Sequence, residues 1–444
     1  MTELIEAVRN GASAEDIAAS PLPRQYLAAC LHREDEQLAA NGARIADVRA
    51  TIHVDSVPLP PIAPDEVLIA VMASAINFNT VWSATFEPVS TFRFLERYGR
   101  TSKDAARHDL PYHVIGSDAS GVVVRVGVAV RHWNVGDKVV VHPTHTDEQD
   151  PMAQWDGMLP DAQLAWGYET NFGGLAQFAV VKATNLLAKP AHLTWEEAAC
   201  NTLCLMTAYR MLVSSRGAAM KQGDIVFIWG ASGGLGSYAV QLVRNGGGIA
   251  IGVVSSDAKR KLLAELGCDV VLDRREFAND GAGLTDPQSW RRLGKLVRSA
   301  VGEDPHIVFE HVGQETFGAS VFIARRGGCV VTCGSSSGYR HEFDNRFLWM
   351  KLKHIIGSHG ANYQESWEAN RLVRLGRIVP ALSIVFPLAR TAEAAHLVQR
   401  NCHVGKVGVL CLAPREGLGV DDPQLRERIG PGRLRLFRDW APVT

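Results

Sequence analysis

The chain has 444 residues, of which 46% are hydrophobic and 21% charged, a balance typical of a globular protein with two or three domains. Its 46 basic and 47 acidic residues leave a net charge of -1, so no overall positive field attracts nucleic acid or an anionic membrane. The sequence contains no run of about eighteen apolar residues, and its N-terminus predicts an amphipathic helix and a polar turn rather than a targeting peptide.

Eight cysteines are scattered along the chain, and the two close pairs, Cys200/Cys204 and Cys329/Cys333, lie in apolar runs. Free buried thiols are favoured over disulfides or metal ligands in this setting. We therefore expect a cytoplasmic protein.

Short strand-like runs separated by glycine and proline fill residues 46–190 and predict a β-rich domain rather than alternating strand and helix units. Thr194 and Glu197 then have the spacing of a capping box. The apolar residues that follow predict one helix continuing from Ala198 to Val213.

The pattern changes at Asp224, where apolar runs of buried-strand type begin to alternate with helical stretches, one of them predicted over residues 237–244. This alternation predicts a parallel sheet of the doubly wound type. Residues after about 378 return to β character. The apolar runs are 225–229, 249–254, 270–272, 307–309 and 329–332, with 406–410 in the tail.

A glycine-rich turn between the first of these runs and the next helix predicts a dinucleotide site. Glycine lets the backbone approach a pyrophosphate, and a helix N-terminus offers free N–H groups and a partial positive charge. The spacing departs from G-x-G-x-x-G. The predicted cofactor-binding residues are Gly230, Ala231, Ser232, Gly233, Gly234, Leu235 and Gly236.

The next strand ends at Ser255 and Ser256 and is followed by cations, which favours a ribose 2′-phosphate and hence NADPH over NADH. Lys259 is the expected phosphate ligand. Arg260 has two open interpretations, a second ligand or a solvated side chain. We interpret Asp257 as the cap of the following helix.

Two further segments, 166–174 and 357–363, place Glu169 and His359 among small and aromatic residues. Ionisable groups in such settings are typical of partly dry pockets. Both segments resemble, almost letter for letter, the crotonyl-CoA carboxylase/reductases of the medium-chain dehydrogenase/reductase superfamily. The resemblance runs from about residue 45 to about residue 420, and the A-x-G-G-x-G turn is also typical of that superfamily.

The resemblance implies an α/β protein with a GroES-like β-rich catalytic domain and a Rossmann cofactor domain with a doubly wound parallel sheet. The implied boundaries are 1–200 for the N-terminal extension and catalytic domain, 201–375 for the NADPH domain, and 376–444 for a return to the catalytic domain. It also implies an active site between the domains and a homo-tetramer or homo-dimer.

Zinc-dependent members of the superfamily carry Gly-His-Glu where this chain has Gly116-Ser117-Asp118, and Asn77 replaces their first catalytic cysteine. We expect no metal, and we interpret His142 and His145 as residues of a solvated loop. Without a Lewis acid, hydride addition to an activated C=C bond is favoured over alcohol oxidation.

In the resembled family an asparagine, an aromatic–glutamate pair and a histidine hold CO2 near the enolate formed by hydride addition. These roles carry over to Asn79, Tyr168, Glu169 and His359, with Asn77 left open as an alternative to Asn79. Asn79 and the Tyr168–Glu169 backbone are expected to contact CO2, while Glu169 and His359 are expected to hold an ordered water and shape the pocket. The resemblance also places Thr207 near the nicotinamide and His311 and Val312 along the cofactor. It assigns Arg346 and Phe347 to the CoA adenine. Lys351 and Lys353 are expected to provide positive charge for the CoA phosphates, and residues 348–350 are expected in the core.

Ala165 and Gly360 stand where crotonyl-CoA enzymes have isoleucine and phenylalanine, so both are expected to line a widened acyl pocket. The resulting prediction is NADPH-dependent reductive carboxylation of a medium-chain 2-enoyl-CoA, such as 2-octenoyl-CoA, with CO2 to a 2-alkylmalonyl-CoA. The alternative is a plain enoyl-thioester or quinone reductase. A non-catalytic or nucleic-acid-binding role is disfavoured by the neutral charge, and no membrane partner is expected.

Overall fold

The computed structural model describes residues 3–278 and 283–440, and the chain divides into two compact units. The first comprises Met1–Leu203, Asn362–Gly376 and Leu382–Thr444. The second comprises Cys204–Ala361 and Arg377–Ala381. The β-rich part of the sequence and its C-terminal return therefore fold together.

The strands are short, as the sequence predicts. In chain order they are β1 Gln25–His32, β2 His53–Pro58, β3 Glu66–Ile76, β4 Tyr112–Val114, β5 Ser120–Val126, β6 Lys138–Val141, β7 Thr144–His145, β8 Leu164–Ala165, β9 Phe178–Lys182, β10 Leu186–Ala188, β11 Ile225–Ile228, β12 Ile249–Val254, β13 Val270–Asp273, β14 Ile307–Glu310, β15 Cys329–Thr332, β16 His354–Gly357, β17 Leu382–Pro387 and β18 Lys406–Leu410.

The α-helices occur in both units. They are α1 Glu3–Arg9, α2 Ala14–Ala19, α3 Phe78–Thr85, α4 Thr91–Gly99, α5 Pro151–Trp155, α6 Trp195–Ala199, α7 Leu203–Leu212, α8 Gly234–Asn245, α9 Asp257–Leu266, α10 Pro287–Val301, α11 Phe317–Ile323, α12 Asn345–Trp349, α13 Tyr363–Arg374, α14 Thr391–Gln399, α15 Pro423–Ile429 and α16 Pro431–Leu434. Short 3-10 helices occupy Arg33–Gly42, Val48–Ala50, Ala105–His108, Ala183–Asn185, Arg274–Glu276, Leu388–Arg390 and Leu436–Trp440.

The first unit is built on a seven-stranded sheet in the order β10-β6-β5-β3-β18-β17, with β9 also paired to β3. β3 is buried along its whole length. Its sequence, EVLIAVMASAI, is apolar or small at nearly every position because both faces of the strand are covered. A separate three-stranded sheet has the order β2-β1-β4.

The second unit contains a six-stranded parallel sheet in the order β13-β12-β11-β14-β15-β16. This is the doubly wound arrangement that the sequence predicts. The strand order reverses beside β11, and ligands of such sheets bind outside the carboxyl ends of the strands at this point. The glycine-rich turn follows β11 directly.

The region around Thr194 confirms one prediction and corrects another. The capping box is present, with Thr194 and Glu197 each satisfying the other's backbone N–H. The single helix predicted over 198–213 is wrong, because α6 ends at Ala199 and α7 begins at Leu203. The Thr202 hydroxyl and the Leu203 N–H both donate to the Asp118 carboxylate, so tertiary hydrogen bonds replace the helical ones.

All eight cysteines lie in the described part of the chain, and none of them forms a disulfide there. Cys200 and Cys329 are buried, while Cys204 and Cys333 are half-buried. Within the same residues, no helix combines the length and the apolar character needed to cross a membrane.

Candidate active site and nucleotide site

The turn after β11 requires glycine at two positions. Gly230 has a φ of +54°, and a Cβ there would lie 3.0 Å from the His311 ring. A Cβ on Gly236 would lie 2.4 Å from the Gly230 carbonyl oxygen, so glycine lets α8 pack directly on the turn. The N-cap residue of α8 is Gly233, which has no side chain to accept hydrogen bonds from the helix. The first N–H groups of α8 are therefore available to a ligand. The turn therefore fits a dinucleotide pyrophosphate.

The end of β12 is organised differently from our expectation. The cap of α9 is Ser256, whose hydroxyl accepts from the Lys259 N–H at 3.4 Å, and Asp257 is the first helical residue. Our assignment of Asp257 as the cap is therefore wrong. The serine fills this position, and the Asp257 carboxylate instead pairs with Arg275 at 2.9 Å.

Arg260 is neither a free cation nor simply solvated. Its guanidinium forms an ion pair with Glu276 and donates to the Val271 carbonyl at 2.9 Å. Lys259, one residue earlier, stays the candidate for the 2′-phosphate, together with Ser255 and Ser256.

Glu310 is a fully buried residue that the sequence left without a role. Its carboxylate accepts the N–H groups of Val312 at 2.8 Å and Gly313 at 3.0 Å, so it fixes the turn after β14. His311 in that turn contacts the Trp229 carbonyl through Nε2 at 2.9 Å. Burial lowers the pKa of His311, so the ring is neutral and Nε2 is the donor.

His359 follows β16 in the second unit. Burial lowers its pKa, and the positive charge of Arg210 on α7 lowers it further. His359 is therefore a neutral imidazole at neutral pH, able to donate one N–H without acting as a strong acid. Thr207 and Arg210 are both buried and lie three residues apart on α7, which places them on one helix face. Arg210 had no role in the sequence-based account.

In the first unit, the segment 166–174 packs backbone against backbone on Gly116. A Cβ on Gly167, whose φ is +68°, would lie 2.0 Å from the Gly116 carbonyl oxygen. The Gly116 N–H donates to the Gly167 carbonyl at 3.0 Å, and the Gly174 N–H donates to the Gly116 carbonyl at 2.8 Å. These glycines therefore fix the position of the loop that carries Glu169.

Glu169 folds back on its own loop. Its carboxylate accepts the Ala165 N–H at 2.8 Å, while the N–H groups of Tyr168 and Glu169 donate to the Ala165 carbonyl at 3.2 and 2.7 Å. Burial raises the pKa of Glu169 above its usual value, opposed by the Ala165 N–H and by the positive charge of Arg97. The Tyr168 ring lies 6.0 Å from that of Phe94.

The two asparagines near α3 differ sharply in their surroundings. Asn77 donates to Asp118 at 2.8 Å and accepts from the Lys406 ammonium, so both ends of its amide are engaged. Asn79 donates to the Ser117 hydroxyl at 2.8 Å, but its buried Oδ1 has no partner among the described residues. A half-turn of the amide exchanges its oxygen and its NH2 group. Either group can therefore bind Ser117 while the other is left without a partner. One end of the Asn79 amide is thus left for a ligand.

Asn79 and the Glu169 loop are held by adjacent residues. Asn79 contacts Ser117, and the preceding Gly116 holds the loop through Gly167. The first unit therefore brings together two of the residues assigned to CO2. Tyr168 lies in the same loop.

Lys406 and Asp118 form a buried ion pair that the sequence did not suggest. The ammonium contacts the Asp118 carboxylate at 2.9 Å and donates to the Ile76 carbonyl at 2.8 Å, with side-chain exposures of 2% for Lys406 and 0% for Asp118. The family resemblance aligns Asn77 and Asp118 with the first catalytic cysteine and the Gly-His-Glu motif of zinc-dependent members, and in this structure the two side chains share an ammonium group. The sequence feature that could have indicated this ion pair is the single lysine at the start of the apolar run 406–410.

The prediction that His142 and His145 belong to a solvated loop is wrong. Both are buried, and burial lowers the pKa of His142 to about 4 and that of His145 to about 3. His142 contacts the Thr184 carbonyl at 3.2 Å, and His145 contacts the Tyr98 hydroxyl at 3.0 Å. Each is a neutral core histidine with a polar partner.

The segment assigned to CoA contains both exposed and buried side chains. Arg346 is exposed and pairs with Asp344, while the Phe347 ring packs edge-on against Phe322 at 4.9 Å. Lys353 is buried, and its ammonium donates to the Val321 and Phe322 carbonyls rather than facing a ligand. Residues 349 and 350 are 61% and 53% exposed, so their assignment to the core is wrong; Leu348 does pack on the core.

The two positions assigned to the acyl pocket have local roles too. Ala165 is half-buried in β8, opposite Thr144. Gly360 has a φ of +49°, a conformation that favours glycine whatever the size of a pocket.

Comparison with known proteins is consistent with both units. Residues 63–191 match the alcohol dehydrogenase GroES-like domain, and residues 234–375 match the zinc-binding dehydrogenase family. The crotonyl-CoA reductase of Streptomyces avermitilis is 54% identical over 433 residues, 96% of this chain and 97% of that protein. The crotonyl-CoA carboxylase/reductase of Cereibacter sphaeroides is 39% identical over 409 residues, 89% of this chain and 90% of that protein.

Solved structures give the same result. The 2-octenoyl-CoA carboxylase reductase CinF, in complex with NADP and 2-octenoyl-CoA, is 58% identical with a TM-score of 0.96, covering 99% of this chain and 100% of that one. The crotonyl-CoA carboxylase/reductase AntE in complex with NADP has 35% identity and a TM-score of 0.78, covering 89% and 96%. This chain belongs to the crotonyl-CoA carboxylase/reductase family, with a GroES-like and a Rossmann-type domain.

Proposed function

We propose that the protein is an NADPH-dependent carboxylase/reductase of 2-enoyl-CoA thioesters. When bound, NADPH supplies a hydride to C3 of the substrate. The electron pair of the C=C bond then forms a bond from C2 to the carbon of CO2, giving a 2-alkylmalonyl-CoA and NADP+. The thioester activates the double bond because its oxygen takes up the charge formed at C2.

The unpartnered end of the Asn79 amide is the observation that carries the carboxylation step. A plain reductase needs only a proton for C2, whereas a carboxylase must hold CO2, which offers weak acceptor oxygens. The N–H groups of Tyr168 and Glu169 are occupied by Ala165. Among the described residues, the Asn79 amide is thus a polar group beside this loop that is left to orient CO2.

CO2 dependence separates this proposal from a plain reductase. NADPH oxidation with a 2-enoyl-CoA is measured with and without bicarbonate plus carbonic anhydrase. We expect marked stimulation and a dicarboxylic product. Equal rates and a saturated monocarboxylic thioester would favour the plain reductase.

The preferred substrate is a medium-chain enoyl-CoA of about six to eight carbons. The small residues Ala165 and Gly360 support this, since each additional buried methylene contributes about 0.8 kcal/mol. The similarity to CinF, solved with 2-octenoyl-CoA, supports it independently.

Replacing Gly360 with phenylalanine is expected to restore a preference for crotonyl-CoA by filling the acyl pocket. Because φ is +49° at this position, any side chain adds strain of roughly 1–2 kcal/mol. Gly360→Ala is the matched control, since it adds the strain without the bulk and should keep the medium-chain preference. Values of kcat/KM across an acyl ladder measure this. A wild-type enzyme whose kcat/KM declines steadily beyond four carbons would contradict the assignment.

Lys259 is proposed to select NADPH through the 2′-phosphate. Lys259→Ala should weaken NADPH binding by about 1–3 kcal/mol, the cost of a lost charged hydrogen bond, and leave NADH binding nearly unchanged. Lys261→Ala, an exposed lysine two residues on, is the control. Titration of both cofactors by fluorescence tests this, and equal affinities of the unmodified protein for NADPH and NADH would refute it.

A homo-oligomer, implied by the family resemblance, is supported by apolar residues exposed at the edge strand β16 and just before it. Trp349, Leu352 and Ile355 are 61%, 62% and 38% exposed. Light scattering that gives the monomer mass would exclude this assembly.

A further inference from the structure

Two histidines of the first unit lie face to face at the open end of the β1–β2 pair. His32 is the last residue of β1 and His53 the first of β2, and Cys30 is the register partner of His53. Their rings stack with centroids 4.3 Å apart and planes inclined by 10°. The chain between them, residues 33–52, leaves the sheet and returns.

Carboxylates accompany both rings. The His53 Nε2 contacts the Asp35 carboxylate at 2.8 Å, and the His32 Nε2 contacts the Asp55 carboxylate at 2.8 Å. Ligand atoms of His32, Asp35 and His53 all lie within 4.8 Å of one another. The Asp35 side chain is 17% exposed and the two rings 32% and 36%, so the cluster is neither buried nor freely solvated.

We propose that His32, Asp35 and His53 form a binding site for a divalent transition metal, with Zn²⁺ as the expected ion. Imidazole and carboxylate are the mixed ligands that Zn²⁺ binds in tetrahedral sites. Asp55 accepts a hydrogen bond at Nε2 of His32, an arrangement that fixes the tautomer and leaves Nδ1 for a metal. The stacked rings must tilt for their nitrogens to converge on one ion, and their partial exposure leaves room for this.

A bound ion would have a structural role. It would join the end of β1, the 3-10 helix Arg33–Gly42 and the start of β2, closing the excursion at residues 33–52. Binding to the folded state alone stabilises that state, and the gain increases with the logarithm of the free ion concentration above the Kd. The cluster shares no residue with the candidate catalytic and cofactor sites, so the proposal is independent of the proposed function.

The test uses full-length protein dialysed against a chelator and titrated calorimetrically with Zn²⁺. We expect one equivalent bound at micromolar or lower concentration, and at least about tenfold weaker binding in His32→Gln and in His53→Gln. His132→Gln, at an exposed histidine outside the cluster, should bind as the wild type does. No stoichiometric binding, or unchanged binding in both cluster variants, would overturn the proposal.

Crystals of the wild-type protein grown with Zn²⁺ give a second readout that does not depend on the folding of the variants. Anomalous scattering at the zinc edge should show a peak between His32 and His53. A peak at the cysteines alone, or none, would overturn the assignment as well.

Discussion

Replacing Glu169 with glutamine or Asn79 with alanine is expected to shift the product from the carboxylated to the saturated thioester while hydride transfer continues. One end of the Asn79 amide has no partner among the described residues, and glutamine at 169 replaces the charge-assisted hydrogen bond from the Ala165 N–H, which fixes the loop, with a weaker neutral one. When CO2 is poorly positioned, protonation of C2 is faster than its carboxylation. We expect His359→Ala in the second unit to shift the product in the same direction.

The measurement is the ratio of the two thioesters per NADPH oxidised, by mass spectrometry. Glu427→Gln, at an exposed glutamate of the first unit, is the matched control and should leave the ratio unchanged. If Asn79, Glu169 and His359 variants lose hydride transfer and carboxylation in strict proportion, these residues do not hold CO2.

The raised pKa of Glu169 adds a pH dependence to this prediction. As the pH falls towards that pKa, the carboxylate gains a proton and can donate one, so the carboxylated fraction should fall at constant dissolved CO2. Burial and the charge of Arg210 lower the pKa of His359, so it gains its proton at a lower pH than an ordinary histidine does. The Glu169→Gln variant should lack this pH dependence. A pH-independent ratio in the wild type would contradict the role of Glu169.

Lys406→Met is expected to destabilise the protein by about 3–5 kcal/mol, because it leaves the Asp118 carboxylate buried without its cation. The free energy of unfolding from urea denaturation measures this. The double variant Lys406→Met/Asp118→Asn should recover much of the loss, since no uncompensated charge stays buried.

Lys138→Met is the control for this prediction. Its ion pair with Asp421 has side-chain exposures of 42% and 39%, and such a pair contributes only about 0–1 kcal/mol. A Lys406→Met variant that unfolds at the same urea concentration as Lys138→Met would show that the buried pair does not stabilise the fold.

Features encoded locally were predictable from the sequence. The glycine-rich turn, the apolar runs of the parallel sheet and the capping box at Thr194 each depend on residues close together in the chain. The helix break at residues 200–202 was not predictable, because Thr202 bonds to Asp118, a residue far earlier in the sequence.

In the candidate site, too, contacts between residues far apart in the sequence could not be predicted. Sequence spacing left Asn77 and Asn79 as alternatives, and the distinction depends on Lys406, which lies 329 residues from Asn77. His142 and His145 carry polar side chains in a loop-like sequence, yet they are buried because Thr184 and Tyr98 supply their partners. Long-range polar pairing of this kind leaves no periodic pattern in the sequence.

The fate of the enolate separates reductive carboxylation from plain reduction most directly. Incubation of the wild-type protein with NADPH, ¹³C-labelled bicarbonate, carbonic anhydrase and 2-octenoyl-CoA, followed by mass analysis of the thioester, tests it. We predict a product with one labelled carboxyl group for each NADPH oxidised. An unlabelled, saturated thioester formed with the same consumption of NADPH would contradict this prediction.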